Sequence, residues 1–134
     1  MGRRARLRLL LDTHAILWWL QGDTALSTRA RETIADDASD IFVSAASAME
    51  ITTKYRIGKL PRATAAAHAF ELMVDSQGFI PLPIGLLHAQ VAGLLPIPHK
   101  DPFDRLLIAQ AQIEVLTLVS NEALFDEFGV TRLW

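Results

Sequence analysis

A chain of 134 residues, 51% apolar and 21% charged, is composed as one packed globular domain, which excludes a disordered tail or a collagen-like chain. It has no cysteine, so disulfide scaffolds, thiolate metal sites and cysteine nucleophiles are excluded as well. Thirteen Lys and Arg against fifteen Asp and Glu give a formal charge of −2, too little positive charge for a strong duplex DNA binder but compatible with a local basic patch.

Arg3, Arg4, Arg6 and Arg8 ahead of Leu9 to Leu11 imitate an export signal, yet Asp12 and His14 interrupt the apolar run early. Neither export nor a membrane span is expected, the chain reads as cytoplasmic, and residues 1–6 are expected to form a flexible arm. Leu7 to Leu11 is an apolar run typical of a strand buried on both faces. Asp12 and Thr13 are helix-capping types, and the apolar run Ala15 to Leu20 continues as a helix to Gln21-Gly22. Trp18 and Trp19 lie about 100° apart on that helix, so one is expected in the core and the other at a subunit or partner interface. Ser27 opens a second, amphipathic helix ending near Asp37.

Ile41 to Val43 form a second strand, and Ser44 caps a helix that runs to Gly58. A helix is expected from Arg62 to Ser76, a third strand from Phe79 to Leu82, and another helix from Ile84 to Leu95. Asp101-Pro102 opens a helix carrying Leu106, Leu107, Ala109, Gln110 and Ile113. Leu116 to Val119 is the fourth strand, a short helix runs through Phe125, and Val130 to Trp134 is a last strand or a terminal extension. Strands alternating with helices imply an α/β fold with a central parallel sheet covered on both sides.

In such sheets ligands bind outside the carboxyl ends of the strands, and acids gather there. Asp12 follows the first strand directly and either caps the next helix or belongs to a site. Glu50 lies among Ala46, Ala48, Met49 and Ile51; it faces solvent with Lys54 at i+4, or it is a buried carboxylate that needs a cation. Asp101 and Asp104 fit the N-cap and N3 positions of one helix, although two acids so close repel each other unless Arg105 or a metal is near. Asn121 and Glu122 arrive at the same edge after the fourth strand. Together Asp12, Glu50, Asp104 and Glu122 would form an all-oxygen site suited to Mg²⁺ or Mn²⁺, whose natural chemistry is activation of water against a phosphodiester. Lys54, Arg56, Lys59, Lys100 and Arg105 lie near these junctions, where they meet the phosphates of a nucleic acid, pair with nearby acids or simply face solvent. Of the four histidines only His14 and His99 adjoin the acids.

The chain resembles the PIN domain family, and within it the ribonuclease toxins of VapBC-type toxin–antitoxin pairs. The resemblance rests on Leu10-Leu11-Asp12-Thr13-His14 with Ile16 to Leu20, Val43-Ser44 to Glu50-Ile51 with Lys54, Gly58-Lys59-Leu60, His99 to Arg105 leading into Leu106 to Ala111, and Leu118 to Glu122 with Leu133-Trp134. It covers nearly the whole chain. It implies a three-layer α/β/α sandwich with a mainly parallel sheet of four to five strands. It also implies Asp12, Glu50 and Asp104 as the core metal-binding acids, with Asp101 second to Asp104. Glu122 stands where the family often has Asp, Ser120 matches its Thr or Ser, and Thr13 and Asn121 support the site. Met49 stands where relatives often carry Trp, and is expected in the core. The activity implied is that of an Mg²⁺-dependent endoribonuclease, inhibited by a cognate antitoxin and dimeric.

Two other readings of an aspartate after a first strand compete. A haloacid-dehalogenase-type phosphatase needs a second acid at position 14, where this chain has His. A receiver-like module, or a PIN fold that binds RNA or a partner without cutting, would be the non-catalytic alternative.

Overall fold

A computed structural model describes residues 6–134. The strands are β1 (Leu7–Leu11), β2 (Ser39–Ser44), β3 (Ile80–Leu82), β4 (Thr117–Val119) and β5 (Arg132–Leu133), and every pairing between them is parallel. They form a five-stranded sheet in the order β3-β2-β1-β4-β5. The helices are α1 (Thr13–Gln21), α2 (Thr28–Ala35), α3 (Ala45–Arg56), α4 (Thr64–His68), α5 (Phe70–Ser76), α6 (Leu86–Leu94) and α7 (Pro102–Ile113).

The central strand shows why the fold forms. Leu9 and Leu11 enter one apolar cluster with Ile16, Val43 and Ile51, whereas Leu10 enters the opposite one with Leu107, Ile108 and Leu118. Alternation along one strand therefore fills both layers, as the unbroken apolar run requires. Successive strands step from β1 to β2 and β3 on one side, and β4 and β5 lie on the other. The β1/β4 boundary is thus a topological switch point, the place at which open α/β sheets bind ligands. Leu11 pairs with Val119, and the Asp12 N–H extends that ladder to Val119 O at 3.0 Å.

Several expectations change. The helix expected over 62–76 is two helices, because Ala69 leaves the helical region at φ −132°, ψ 34°. The break lets Ala66 and Val74 both join the first core. The expected helix over 84–95 starts at Leu86, after Pro83-Ile84-Gly85. The short helix after Asn121 is a 3₁₀ helix over Ala123–Phe128, and the C-terminal segment does join the sheet. Both tryptophans are partly buried against the first core: Trp18 stacks on His14 and meets Trp134, while Trp19 meets Phe79 and donates to Gln77 Oε1 at 2.9 Å. Met49 is 63% exposed and not in the core.

Of the expected N-terminal arm, residues 1–5 lie outside the described residues, and Arg6 is held. It donates to Asp40 Oδ1 at 2.9 Å and to Asp37 O at 3.0 Å. Arg8 donates to Glu114 O and covers the Phe42 ring. No helix among the described residues is long and apolar enough to cross a membrane.

Candidate active site

Asp12 stands at the carboxyl end of the central strand and caps α1. It is 5% exposed. Its Oδ1 accepts from Thr13 N–H and its Oδ2 from Ser120 Oγ, each at 2.7 Å. A carboxylate offers about four lone-pair sites, so each oxygen keeps room for one further partner. Burial pushes the Asp12 carboxyl up from its ordinary range, and the bonds from Ser120 and Thr13 oppose that only in part. The Glu50 charge adds to the rise.

Ser44 starts the next piece of the site. Its Oγ accepts from Ala46 N–H and donates to Gln110 Oε1, and Gln110 in turn donates to Pro83 O. That buried network fixes the start of α3 against α7, and α3 carries Ser47 and Glu50 on one face, three residues apart. Glu50 is 4% exposed, so it is not on a solvated stripe, yet Lys54 pairs with it. Thr13 Oγ1 donates to Glu50 Oε1 at 2.6 Å and lies 3.0 Å from Ser47 Oγ, and Lys54 Nζ donates to Glu50 Oε2 at 2.6 Å. Burial works against the Lys54 charge, but Glu50, Asp101 and Asp104 together hold its pKa above the ordinary lysine value.

Asp101 and Asp104 divide their work. Asp101 caps α7, with Oδ1 accepting from Asp104 N–H at 3.0 Å. Asp104 Oδ2 meets His99 Nε2 at 2.6 Å. Desolvation raises the Asp104 carboxyl to about 6; His99 opposes the rise, and Asp101, Asp12 and Glu50 reinforce it. Three elements therefore direct negative charge at one edge.

Arg105, expected among the RNA-contacting cations, is engaged elsewhere. Its five N–H donors go to five carbonyls, those of Ala92, Gly93, Leu95, Ile97 and His99. It clamps the segment that delivers His99, and no donor is left for a phosphate. The side chains of Arg56, Lys59 and Lys100 are exposed and make no hydrogen bond or ion pair among the described residues. Asn121 and Glu122 are exposed, and only the Glu122 backbone N–H joins the network, donating to Ser120 Oγ at 3.0 Å. Ser47, Gln110 and the clamping role of Arg105 were not anticipated from sequence; the i,i+3 spacing of Ser47 and Glu50 is the one signal that pointed to any of them.

Among the described residues no three His, Asp or Glu side chains stand close enough to form a ready-made metal cage. The donor set nevertheless fits Mg²⁺, which binds through one or two carboxylates and keeps several waters. Asp12 is a buried carboxylate hydrogen-bonded only to neutral donors, and its charge, with those of Glu50 and Asp104, exceeds what Lys54 neutralises.

A parallel sheet between helices, with acids at its switch point, defines a class of carboxylate-bearing α/β domains. The PIN domain model matches residues 9–130, and the chain belongs to the PIN domain family. That assignment sets aside the phosphatase and receiver readings. The fold is similar to a chain of VapBC2 from Rickettsia felis, solved bound to a DNA fragment from its promoter, with TM-score 0.70 and 14% identity over 95% of this chain and 98% of that one. It is also similar to chains of DNA-bound VapBC from Salmonella typhimurium (TM-score 0.66, 16% identity, 95% and 97% covered) and of VapBC-1 from nontypeable Haemophilus influenzae (TM-score 0.66, 12% identity, 95% and 97% covered). No curated protein sequence matches the chain significantly.

Proposed function

We propose that this PIN domain is an Mg²⁺-dependent endoribonuclease, with Mn²⁺ as a substitute, acting as the toxin of a VapBC-type pair in the cytoplasm. The observation that carries the reading is Asp12: a buried carboxylate at the switch point, hydrogen-bonded by Thr13 and Ser120 and in no ion pair among the described residues. Asp12, Glu50 and Asp104 are the residues that would hold the metal, with Asp101 as a cap beside them and Glu122 at the rim. A divalent cation bound there supplies Lewis-acid charge to phosphoryl oxygens and makes nearby water more acidic.

The chain's own groups do the positioning. Ser120 and Thr13 fix both oxygens of Asp12, Thr13 and Lys54 fix those of Glu50, and His99 holds Asp104. Asp104, with its carboxyl raised to about 6, can take up or release a proton near neutral pH. Lys59, Lys100 and Arg56 have free donors for RNA phosphates. The VapBC likeness supports a cognate antitoxin as partner, and a homodimer accords with the resemblance. Cleavage of single-stranded and structured RNAs by the purified chain, with Mg²⁺, with chelator and with Asp12→Asn, tests the reading. Discrete products that require both metal and Asp12 support it; intact RNA from folded, metal-loaded, partner-free protein would falsify it.

A further inference from the structure

Helix α1 and the segment 59–63 border a cleft of about 250 Å³, lined among others by His14, Leu17, Trp18, Gln21, Lys59 and Arg62. His14 lies two residues beyond Asp12. Its imidazole stacks on Trp18, with ring centres 5.5 Å apart and planes inclined by 26°, and Trp134 meets Trp18 at 5.8 Å. Contacts from two sides make these rings a fixed aromatic platform with the exposed His14 outermost. The side chains of Lys59 and Arg62 are exposed and make no hydrogen bond or ion pair among the described residues, unlike those of Lys54, Arg105 and Arg132, which are all engaged.

An exposed π face beside two unengaged cations is the chemistry that takes an unpaired nucleotide: the base stacks, and the phosphates meet the cations. Size agrees. At about 250 Å³ the cleft lies below the roughly 300–1,000 Å³ of drug-sized ligand sites, on the scale of a single base. We propose that this cleft is a nucleotide subsite, holding one unpaired RNA base on the His14–Trp18 platform and its phosphates at Lys59 and Arg62, so that the adjoining phosphodiester lies toward Asp12. This rests on the nuclease reading for its role in cleavage, but not for RNA binding itself. Gln21 supplies the polar side chain able to meet a base edge.

The test measures binding of a short fluorescent single-stranded RNA of mixed sequence in chelator, where no metal-dependent cleavage occurs, together with quenching of tryptophan fluorescence. His14→Ala and the double variant Lys59→Ala/Arg62→Ala change exposed side chains, and circular dichroism checks that both fold. Each is expected to weaken binding about tenfold, and the double variant to flatten the salt dependence by about 1.4 in log–log slope, at about 0.7 per phosphate contact on a single strand. His14→Phe, which keeps the ring, is expected to bind as the parent does. With Mg²⁺ the same variants should raise KM more than they lower kcat. Unchanged affinity, salt slope and KM in both variants overturn the subsite, and do so while the nuclease reading stands if the parent still cuts. Parent protein that binds with this pattern yet never cuts sustains the subsite and overturns the nuclease reading. Variants that bind RNA normally but no longer hold a co-expressed antitoxin also overturn the proposal, because the cleft is then a protein-docking site.

Discussion

Lys54 and Thr13 bind opposite oxygens of one buried carboxylate: the ammonium meets Glu50 Oε2 and the hydroxyl meets Oε1, both at 2.6 Å. The acid is thus oriented from its own helix and from the end of the central strand at once. The ammonium also feels Asp101 and Asp104, which makes it the counter-charge of the metal-free site. Lys54→Met should leave Glu50 buried and unpaired and lower the stability of the metal-free chain by about 1–2 kcal/mol, below the full cost of breaking a buried pair because Lys54 is partly exposed. Urea unfolding in chelator checks this, and added Mg²⁺ should restore part of the loss.

Asp12→Asn keeps the size and an acceptor oxygen for the Thr13 N–H, requires the bond with Ser120 Oγ to reverse because an amide NH₂ only donates, and removes a buried charge. Cleavage should fall by at least about a hundredfold. Thermal stability in chelator should hold or rise, because burial already disfavours the charged form. A cleavage assay paired with a melting curve separates the two effects.

A cation that binds only the folded chain must stabilise it. At a Mg²⁺ or Mn²⁺ concentration a hundred times Kd, the gain should be about 2.7 kcal/mol, seen as a rise in melting temperature that Asp12→Asn and Asp104→Asn abolish. A midpoint indifferent to both metals in the parent would remove the shared site.

Asp104 gives stability a pH dependence of definite sign. Its folded-state pKa is about 6 against an ordinary 3.8, so the folded chain holds that proton more tightly than the unfolded one. The resulting stabilisation is complete below about 4 and is lost as pH rises through about 6. The loss should be roughly 2 kcal/mol, discounted from the full shift because the side chain is 24% exposed. Urea midpoints across that window in chelator should fall for the parent and stay flatter for Asp104→Asn.

Arg105→Lys replaces a five-donor fork by a single ammonium and should cost about 2 kcal/mol while loosening residues 92–99. The binding of single-stranded RNA by the folded fraction should barely change, since Arg105 has no donor left for phosphate. Denaturation and RNA titration on the same preparation distinguish a clamp from a contact.

Sequence patterning carried the architecture further than it carried the charges. The run Leu7 to Leu11, the caps at Asp12, Ser44 and Asp101, and Pro102 at the first helical position are local signals, and the structure keeps each of them. The break at Ala69 was hidden because an alanine-rich stretch has high helix propensity throughout, so only packing of Ala66 and Val74 decides where it bends. Met49 was misplaced for a related reason: helical spacing names a face but not what lies opposite it. Lys54 and Arg105 looked alike in sequence. Which cation meets a carboxylate and which meets five carbonyls depends on a loop path that no spacing rule describes.

The hydrogen bond from Ser120 to Asp12 spans 108 positions of the chain. During synthesis the amino-terminal strand and the acids of α3 and α7 therefore emerge before the hydroxyl that fixes Asp12, which comes with the end of β4. A nascent chain stalled or cleaved ahead of Ser120 carries all of these acids but lacks the hydroxyl that holds Asp12 Oδ2, so Asp12 is the last of the three carboxylates to gain its partners.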